Sequence, residues 1–396
     1  MQEENKMSKA KTKNVITGKF TTGAGIKAAL SKKPADVIQE VIDSGLRGKG
    51  GAGFPAGLKW RFAANEKSDM KTIICNADEG EPGTFKDKYL LDNHPMKVLE
   101  GMAIAGYAIG ADKGIIYLRG EYAYMLPSLE KNIAEIKENV FSKMKIGKKK
   151  FEFDIKVRLG AGAYVCGEEF ALIESLNGNR GEPRNKPPFP IQKGYLEKPT
   201  LVNNVETFAT IVHIVEKGAQ WFGELGTKSS KGTKLFSISG DVKYPGVYEF
   251  EMGVKLRDIL ELVGAENTKS VQVGGFSGIN VAEDGFDRTL AHGDLPPGGS
   301  IIVFNKDRDM LKVLKNILEF FEEESCGQCT PCREGAYQLL KGIKMIEKGE
   351  KSVRYYKDLC DLCVIMKDSA KCGLGMSIPS PFLSITKNFK DEILYR

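Results

Sequence analysis

Histidine is scarce in this chain, with three among 396 residues, at positions 94, 213 and 292. None offers a local base to Cys166, the cysteine that a nucleophile reading would single out, so that thiol reads as packed. Long apolar runs are missing. The longest stretch free of charge and strong polarity, Gly101 to Ala111, is too short to cross a bilayer, which excludes a membrane-spanning role. An excess of one charge is missing too: 58 Lys and Arg stand against 52 Asp and Glu, a formal +6 spread along the chain. Bulk nucleic-acid binding therefore gets little support, and an anionic small molecule suits the balance equally well. The charged start, Met1 to Lys13, has no apolar h-region, so it reads as the frayed tail of a cytoplasmic protein. No internal repeat is evident.

What is present is globular. The length fits two or three domains at roughly 150 residues each, and apolar residues at 41% with charged residues at 28% are ordinary. Six of the eight cysteines lie between Cys326 and Cys372. In a reducing cytoplasm such clustering points to metal before disulfide. The 44 glycines outnumber 16 prolines, and many fall in bursts beside predicted helix starts, where phosphates are expected.

Apolar spacing predicts a helix over 34–44, a buried strand at 71–75, a helix over 96–108, a strand at 114–118, and an amphipathic helix over 128–141. A strand at 153–159 and a helix over 168–176 follow. This alternation is the grammar of an α/β layer architecture. Near 226–232 the composition shifts to Gly, Lys and Ser, a linker signal. Short strands at 235–239, 246–250, 271–273 and 301–304 with one helix, 255–263, then suggest a small α+β domain over 233–306. From Met310 onward the pattern is helical, over 311–321, 335–346 and 353–366, as in a helical bundle holding a metal site.

Cys326-Gly-Gln-Cys329-Thr-Pro-Cys332 with a remote Cys372 matches the way four cysteines hold a cubane iron-sulfur cluster. Zinc competes, because Cys329-x-x-Cys332 and Cys360-x-x-Cys363 make two pairs. Cys363, however, falls in phase with Leu359, Leu362 and Met366 on an inward helix face, where a buried free thiol is common. Gly48-Lys-Gly50-Gly-Ala-Gly53 satisfies G-x-G-x-x-G, yet it follows a helix and runs into Phe54-Pro55, unlike the usual dinucleotide fingerprint. Its glycines let backbone N–H groups approach an anion or a flat ring, with Arg47, Lys49 and Lys59 adding charge; a tight structural turn is the alternative. Asn76, Asp78, Glu79 and Glu81 follow a buried strand at what should be the ligand-facing end of the sheet, or else form a solvated turn. Gly160-Ala-Gly162-Ala-Tyr164-Val-Cys166-Gly167-Glu168-Glu169 is a strand-to-helix junction whose carboxylates favour the helix dipole and oppose a phosphate. Asn203-Asn204 either cap the helix Glu206 to Val215 or reach a phosphate.

Together, Gly45 to Trp60, Cys75 to Thr84, Gly162 to Glu169, Lys186-Pro-Pro-Phe-Pro190, Asn203-Asn-Val-Glu206 and Glu324 to Arg333 resemble, in order, the family of flavin- and NADH-binding (FMN, 4Fe-4S) subunits. Complex I, NAD-linked and electron-bifurcating hydrogenases and NAD-dependent formate dehydrogenases share this type of subunit. The resemblance covers roughly residues 18–390. It implies a flexible tail over 1–17, an FMN- and NADH-binding α/β domain of Rossmann-like layering over 18–226, a ubiquitin-like α+β domain over 233–306 and a helical 4Fe-4S domain over 309–396. FMN would be held by Gly48, Gly50, Lys59, Asn76, Asp78, Glu79, Gly167, Glu168, Asn203 and Asn204. NADH would be received by Phe54, Phe62, Glu81, Tyr164, Glu169 and Phe189, the aromatics flanking adenine. The cluster ligands would be Cys326, Cys329, Cys332 and Cys372. Hydride would pass directly from NADH to the flavin with no catalytic proton donor. The implied partners are a 2Fe-2S (thioredoxin-like) subunit and a catalytic iron-sulfur subunit, with no nucleic acid and no direct membrane insertion. Three positions depart from the pattern: Lys49 replaces a usual arginine, and Ala56 and Phe170 replace usual threonines. A soluble hydrogenase or formate dehydrogenase is the expected parent complex, with respiratory complex I as the alternative. A zinc-stabilised nucleotide-binding scaffold is the competing class. The sequence order also suggests that the flavin motifs and the cluster cysteines need not share a core.

Overall fold

The computed structural model describes residues 10–395. Four parallel strands, β1 (Thr72–Ala77), β2 (Lys113–Leu118), β3 (Asp154–Leu159) and β4 (Thr200–Asn204), form one sheet in the order β3-β2-β1-β4. This is a mixed α/β fold with a parallel sheet. Strands β2, β1 and β4 are largely buried on both faces, the edge strand β3 is not, and alternate residues of β1 divide between two cores. Ile73, Cys75 and Ala77 face the helices Pro95–Ile109 and Val205–Lys217, together with Ile116, Leu118 and Leu201. Those two helices cross closely at Gly101, where a Cβ would lie 2.1 Å from the Phe208 carbonyl oxygen.

The other face, with Ile74, Ile115, Tyr117 and Val202, packs against helix Glu169–Leu176 and the C-terminal helices Met310–Glu324 and Thr330–Glu347 in one continuous apolar cluster. The sequence order left room for the glycine-rich motifs and the cysteines to lie in separate cores, and they share one. The cause is strand alternation, which leaves the second face of the sheet apolar and in need of a cover. Met310, Leu314, Leu318 and Phe321, one face of an amphipathic helix, supply part of it.

Between these halves, β5 (Thr233–Gly240), β6 (Gly246–Glu251), β7 (Thr268–Val273), β8 (Ile279–Ala282) and β9 (Ser300–Asn305) form a mixed sheet in the order β8-β7-β9-β5-β6. Only β9 and β5 run parallel. Helix Leu256–Leu262 packs on it around Phe236, Phe250, Ile259 and Val303, a core of its own.

Part of the expected tail, Met1 to Thr17, lies outside the described residues. Its described end is not frayed. Ile16 is fully buried, its N–H donates to Glu249 at 2.9 Å, and Glu249 also takes the Thr17 N–H. An apolar side chain in reach of a core and a carboxylate for its backbone donors outweigh the polar composition around it.

Candidate active site

The strand order reverses between β2-β1 and β1-β4, so the carboxyl ends of β1 and β4 open a crevice where α/β sheets bind ligands. A cavity of about 630 Å³ lies there, within the usual size for a cofactor site. Asn76, next to last in β1, stands on its wall, with Nδ2 donating to the Gly167 carbonyl at 2.8 Å. Asn203, at the end of β4, accepts from Trp60 Nε1 at 2.9 Å. Asn204 caps helix Val205–Lys217, accepting the Glu206 N–H at 3.0 Å. The capping reading holds for Asn204, and both asparagines line the cavity beside a helix N-terminus of the kind that suits an anion.

Gly48 and Gly50 border the same space. Gly51 and Gly53 have φ of +126° and +65°, a left-handed region open to glycine, so the loop cannot be built from ordinary residues. Lys59 Nζ donates to Glu169 at 2.8 Å and to the Val202 carbonyl at 3.0 Å. Lys186 Nζ reaches Glu168 and Glu169, each at 3.0 Å. Burial would raise the Glu169 carboxyl, but Lys59 and Lys186 prevail and hold it at about 2. Glu168 also caps helix Glu169–Leu176, taking the N–H groups of Phe170 and Ala171. Phe54, Phe62 and Phe189 stand on the wall with 51%, 46% and 47% of their surface exposed, an unusual exposure for three phenylalanines around one opening.

Four expected residues do not reach the wall. Glu79 is buried and takes the N–H groups of Asp87 and Lys88 at 2.8 and 3.0 Å; burial and Asp87 push it up to about 8. Glu81 accepts from the Tyr164 hydroxyl at 2.6 Å and from Ser277 N and Oγ at 2.9 and 2.6 Å, tying the β1 turn to the β7–β8 connection. Tyr164 is thereby spent on Glu81 and on the rings of Phe320 and Phe321. Asp78 lies behind Gly167, and its Oδ2 is buried without a partner. Burial raises that carboxyl to about 7. An orphaned acceptor of this kind fits a site whose missing donor comes with a ligand. Sequence reasoning gave no site role to Lys186, although it sits in a quoted motif, and it missed Thr207, whose hydroxyl accepts the Lys49 N–H at 3.0 Å on the cavity wall. Its place three residues after Asn204, in the first helical turn, was the available signal.

The cysteines gather beside this cavity. Cys329 and Cys372 each precede a helix, Thr330–Glu347 and Gly373–Ser377. A Cβ on Gly375 would lie 2.8 Å from Cys332 Cβ, so the two segments meet. Burial pushes the Cys332 thiol up to about 11, with Cys329, Cys372 and Cys326 as charged neighbours that add to the shift. The backbone N–H groups of Gly375 and Leu374 turn toward Cys372. Cys360 and Cys363 neighbour each other and Tyr356 instead, and burial pushes the Cys363 thiol up to about 12. Among the described residues no three His, Cys, Asp or Glu side chains converge on one metal ion. Four neighbouring thiols, one of them with two backbone donors, fit a cubane, where each sulfur takes its own iron. Cys372 and Gly373 also line the cavity, so cysteine set and crevice share a wall. Cys166 is buried against Gly181, as a packed thiol should be.

The family description "Nuo51 FMN-binding domain" matches residues 41–213, "NADH-ubiquinone oxidoreductase-F iron-sulfur binding region" matches 312–396, and "SLBB domain" matches 235–275. The NAD-reducing hydrogenase HoxS subunit alpha of Cupriavidus necator is 49% identical over 91% of this chain. The NADP-reducing hydrogenase subunit HndC of Solidesulfovibrio fructosivorans is 44% identical over 93% of this chain and 77% of its own length. The F 2 subunit of the NADH-quinone oxidoreductase of Rhizobium meliloti is 40% identical over 95% of this chain and 93% of its own. A crystal structure of an NAD+-reducing NiFe-hydrogenase in the H2-reduced state superimposes with a TM-score of 0.89 at 41% identity over 95% of this chain. This chain spans 60% of the HoxS subunit and 64% of that crystallised chain.

Proposed function

Since the chain belongs to the family of FMN- and 4Fe-4S-binding subunits found in NAD-reducing hydrogenases and NADH-quinone oxidoreductases, we propose that it oxidises NADH, or reduces NAD, as the diaphorase subunit of a soluble hydrogenase or formate dehydrogenase. The observation that carries this reading is the shared wall: Cys372 and Gly373 border the same cavity as Gly48, Lys59, Asn76 and Glu169.

Bound FMN supplies the chemistry that side chains lack, taking a hydride and releasing electrons one at a time. The chain positions and insulates. Gly48 and Gly50 allow close backbone approach, while Lys59 and the N-terminus of helix Val205–Lys217 balance a phosphate. Phe54, Phe62 and Phe189 offer faces for an adenine ring. Glu169, kept ionised by its lysines, accepts hydrogen bonds from ribose hydroxyls. Cys326, Cys329, Cys332 and Cys372 would hold a 4Fe-4S cluster, which would supply one-electron transfer toward a 2Fe-2S (thioredoxin-like) subunit and a catalytic iron-sulfur subunit.

Residues 233–306 read as ubiquitin-like because a β-hairpin, one helix and a central parallel pair, β9 with β5, share a mixed sheet. Among the described residues no helix is long and apolar enough to cross a membrane, in keeping with a cytoplasmic assembly. The hydrogenase relatives at 49% and 44% identity favour that parent complex over respiratory complex I, for which the Rhizobium meliloti quinone-reductase relative stands at 40%.

The test is NADH-dependent reduction of a dye by the purified chain, with FMN and iron measured alongside. One FMN and about four irons per chain, with turnover lost on removing FMN, supports the proposal. A colourless zinc protein that leaves NADH untouched overturns it.

A further inference from the structure

On the far side of the glycine loop lies a second, smaller notch. Arg47 and Lys49 of the loop form one wall, Ser230, Lys231 and Lys234 another, and His292 closes it. Among the described residues no acidic side chain lines it. Glu206 bonds Lys234 from behind, at 3.2 Å, while Lys49 is bonded to the Thr233 carbonyl at 2.6 Å. The charges at the mouth are not met in this way. The Lys231 side chain makes no hydrogen bond or ion pair among the described residues. Arg47 reaches only the Gly53 carbonyl, at 3.1 Å. Ser230 is 1% exposed; its oxygen accepts the His292 N–H at 2.8 Å, and its own hydroxyl hydrogen has no acceptor among the described residues. The His292 ring packs so tightly on the loop that a Cβ on Gly53 would lie 2.4 Å from its Cε1. Burial, with Arg47, Lys49 and Lys234, lowers the His292 pKa, the state of an imidazole in a positive field that no anion relieves.

We propose that this notch is a second anion site, distinct from the cavity, that takes the oxyanion end of a phosphate group. Its interior has room for about one water-sized group (10 Å³), so one phosphate oxygen enters toward Ser230 while the others meet Arg47, Lys231 and His292 at the mouth. Notch and cavity share only Gly48 among their lining residues. A phosphate here bridges the glycine loop to the linker at Ser230 and Lys231 and to His292, and so pins the loop that borders the cavity. Arg47 approaches as a planar fork and Lys231 as a point charge, the pairing that favours phosphate over chloride.

Isothermal titration of the FMN-loaded full chain with inorganic phosphate, at constant ionic strength, tests the site. One saturable phosphate per chain is expected, weakened at least tenfold in Lys231→Gln and in His292→Gln, while flavin content and NADH-dependent dye reduction stay at wild-type levels. A phosphate-induced rise in Tm should shrink in both variants. Glycerol 2-phosphate, a monoester with no base to enter the nucleotide cavity, separates the sources: equal binding supports a phosphate-ester ligand, and binding of inorganic phosphate alone supports the free ion. Absence of saturable binding, binding matched by chloride, or binding undiminished in both variants overturns the proposal. Phosphate binding by a chain that fails to oxidise NADH would leave this site standing and remove the functional reading instead.

Discussion

Glu169 shows how single residues set the charge of the cavity. Its side chain is 23% exposed and lies between Lys59 and Lys186 at 2.8 and 3.0 Å. With the folded pKa at about 2 against an ordinary 4.5, the ion pairs contribute stability that is fully present above about pH 4.5 and is lost as the pH falls toward 2. The upper limit is roughly 3 kcal/mol. Glu169→Gln should therefore unfold at lower urea than wild type at pH 7, and the gap should narrow as the pH drops to 3. A gap that ignores pH would show that the lysines do not hold the carboxylate. At this scale the sequence was informative but incomplete. Gly48, Gly50, Lys59, Asn76, Gly167, Glu168, Asn203, Asn204, Phe54, Phe62, Glu169 and Phe189 all reach the cavity wall. Asp78, Glu79, Glu81 and Tyr164 do not; the last three each find a buried partner first: backbone donors of the next helix, Ser277, or one another. Motif adjacency cannot reveal such competition, since Ser277 lies almost two hundred residues from Glu81.

Among the elements, helix Val205–Lys217 links ligand binding to the core. Asn204 caps it, Thr207 faces the cavity, and Glu206 turns inward to Lys86 and Lys234 at 3.1 and 3.2 Å. Burial would raise the Glu206 carboxyl, yet Lys234, Lys86 and Lys49 hold it at about 2. Glu206→Gln would take from buried Lys234 its only carboxylate partner among the described residues and leave Lys86 with Asp87 alone, and should cost about 3 to 5 kcal/mol, read by urea denaturation. A loss below about 1 kcal/mol would mean that the network relaxes or hydrates. Long periodic elements were legible: the expected helix over 96–108 is Pro95–Ile109, and the strand at 114–118 is Lys113–Leu118. Some short ones were not. The strand Ile279–Ala282 and the helices Lys86–Asn93 and Gly373–Ser377 have too few residues to show a period, and tertiary contacts alone fix them.

For the molecule as a whole, the shared apolar cluster puts Cys332 in the same core as Ile74 and Phe170. The cysteine region is thus a cover for the sheet as well as a cluster holder, which sequence order hid because the two halves are joined through alternate residues of one strand. Cys372→Ala should lose the cluster while Cys360→Ala and Cys363→Ala keep it, as read by electron paramagnetic resonance of the reduced proteins. If flavin content is preserved, Cys372→Ala should still reduce ferricyanide with NADH and fail to reduce its partner subunits. Partner reduction at the wild-type rate would take the cluster off the path. The central claim is that the crevice delivers electrons from NADH across the Cys372 wall. Its most direct test is anaerobic mixing of the chain with NADH, freezing within milliseconds, and recording the cluster's paramagnetic signal in FMN-loaded and FMN-stripped protein. The account predicts a reduced-cluster signal that appears with FMN and is absent without it. An equal signal in both samples, or none in the FMN-loaded one, would contradict it.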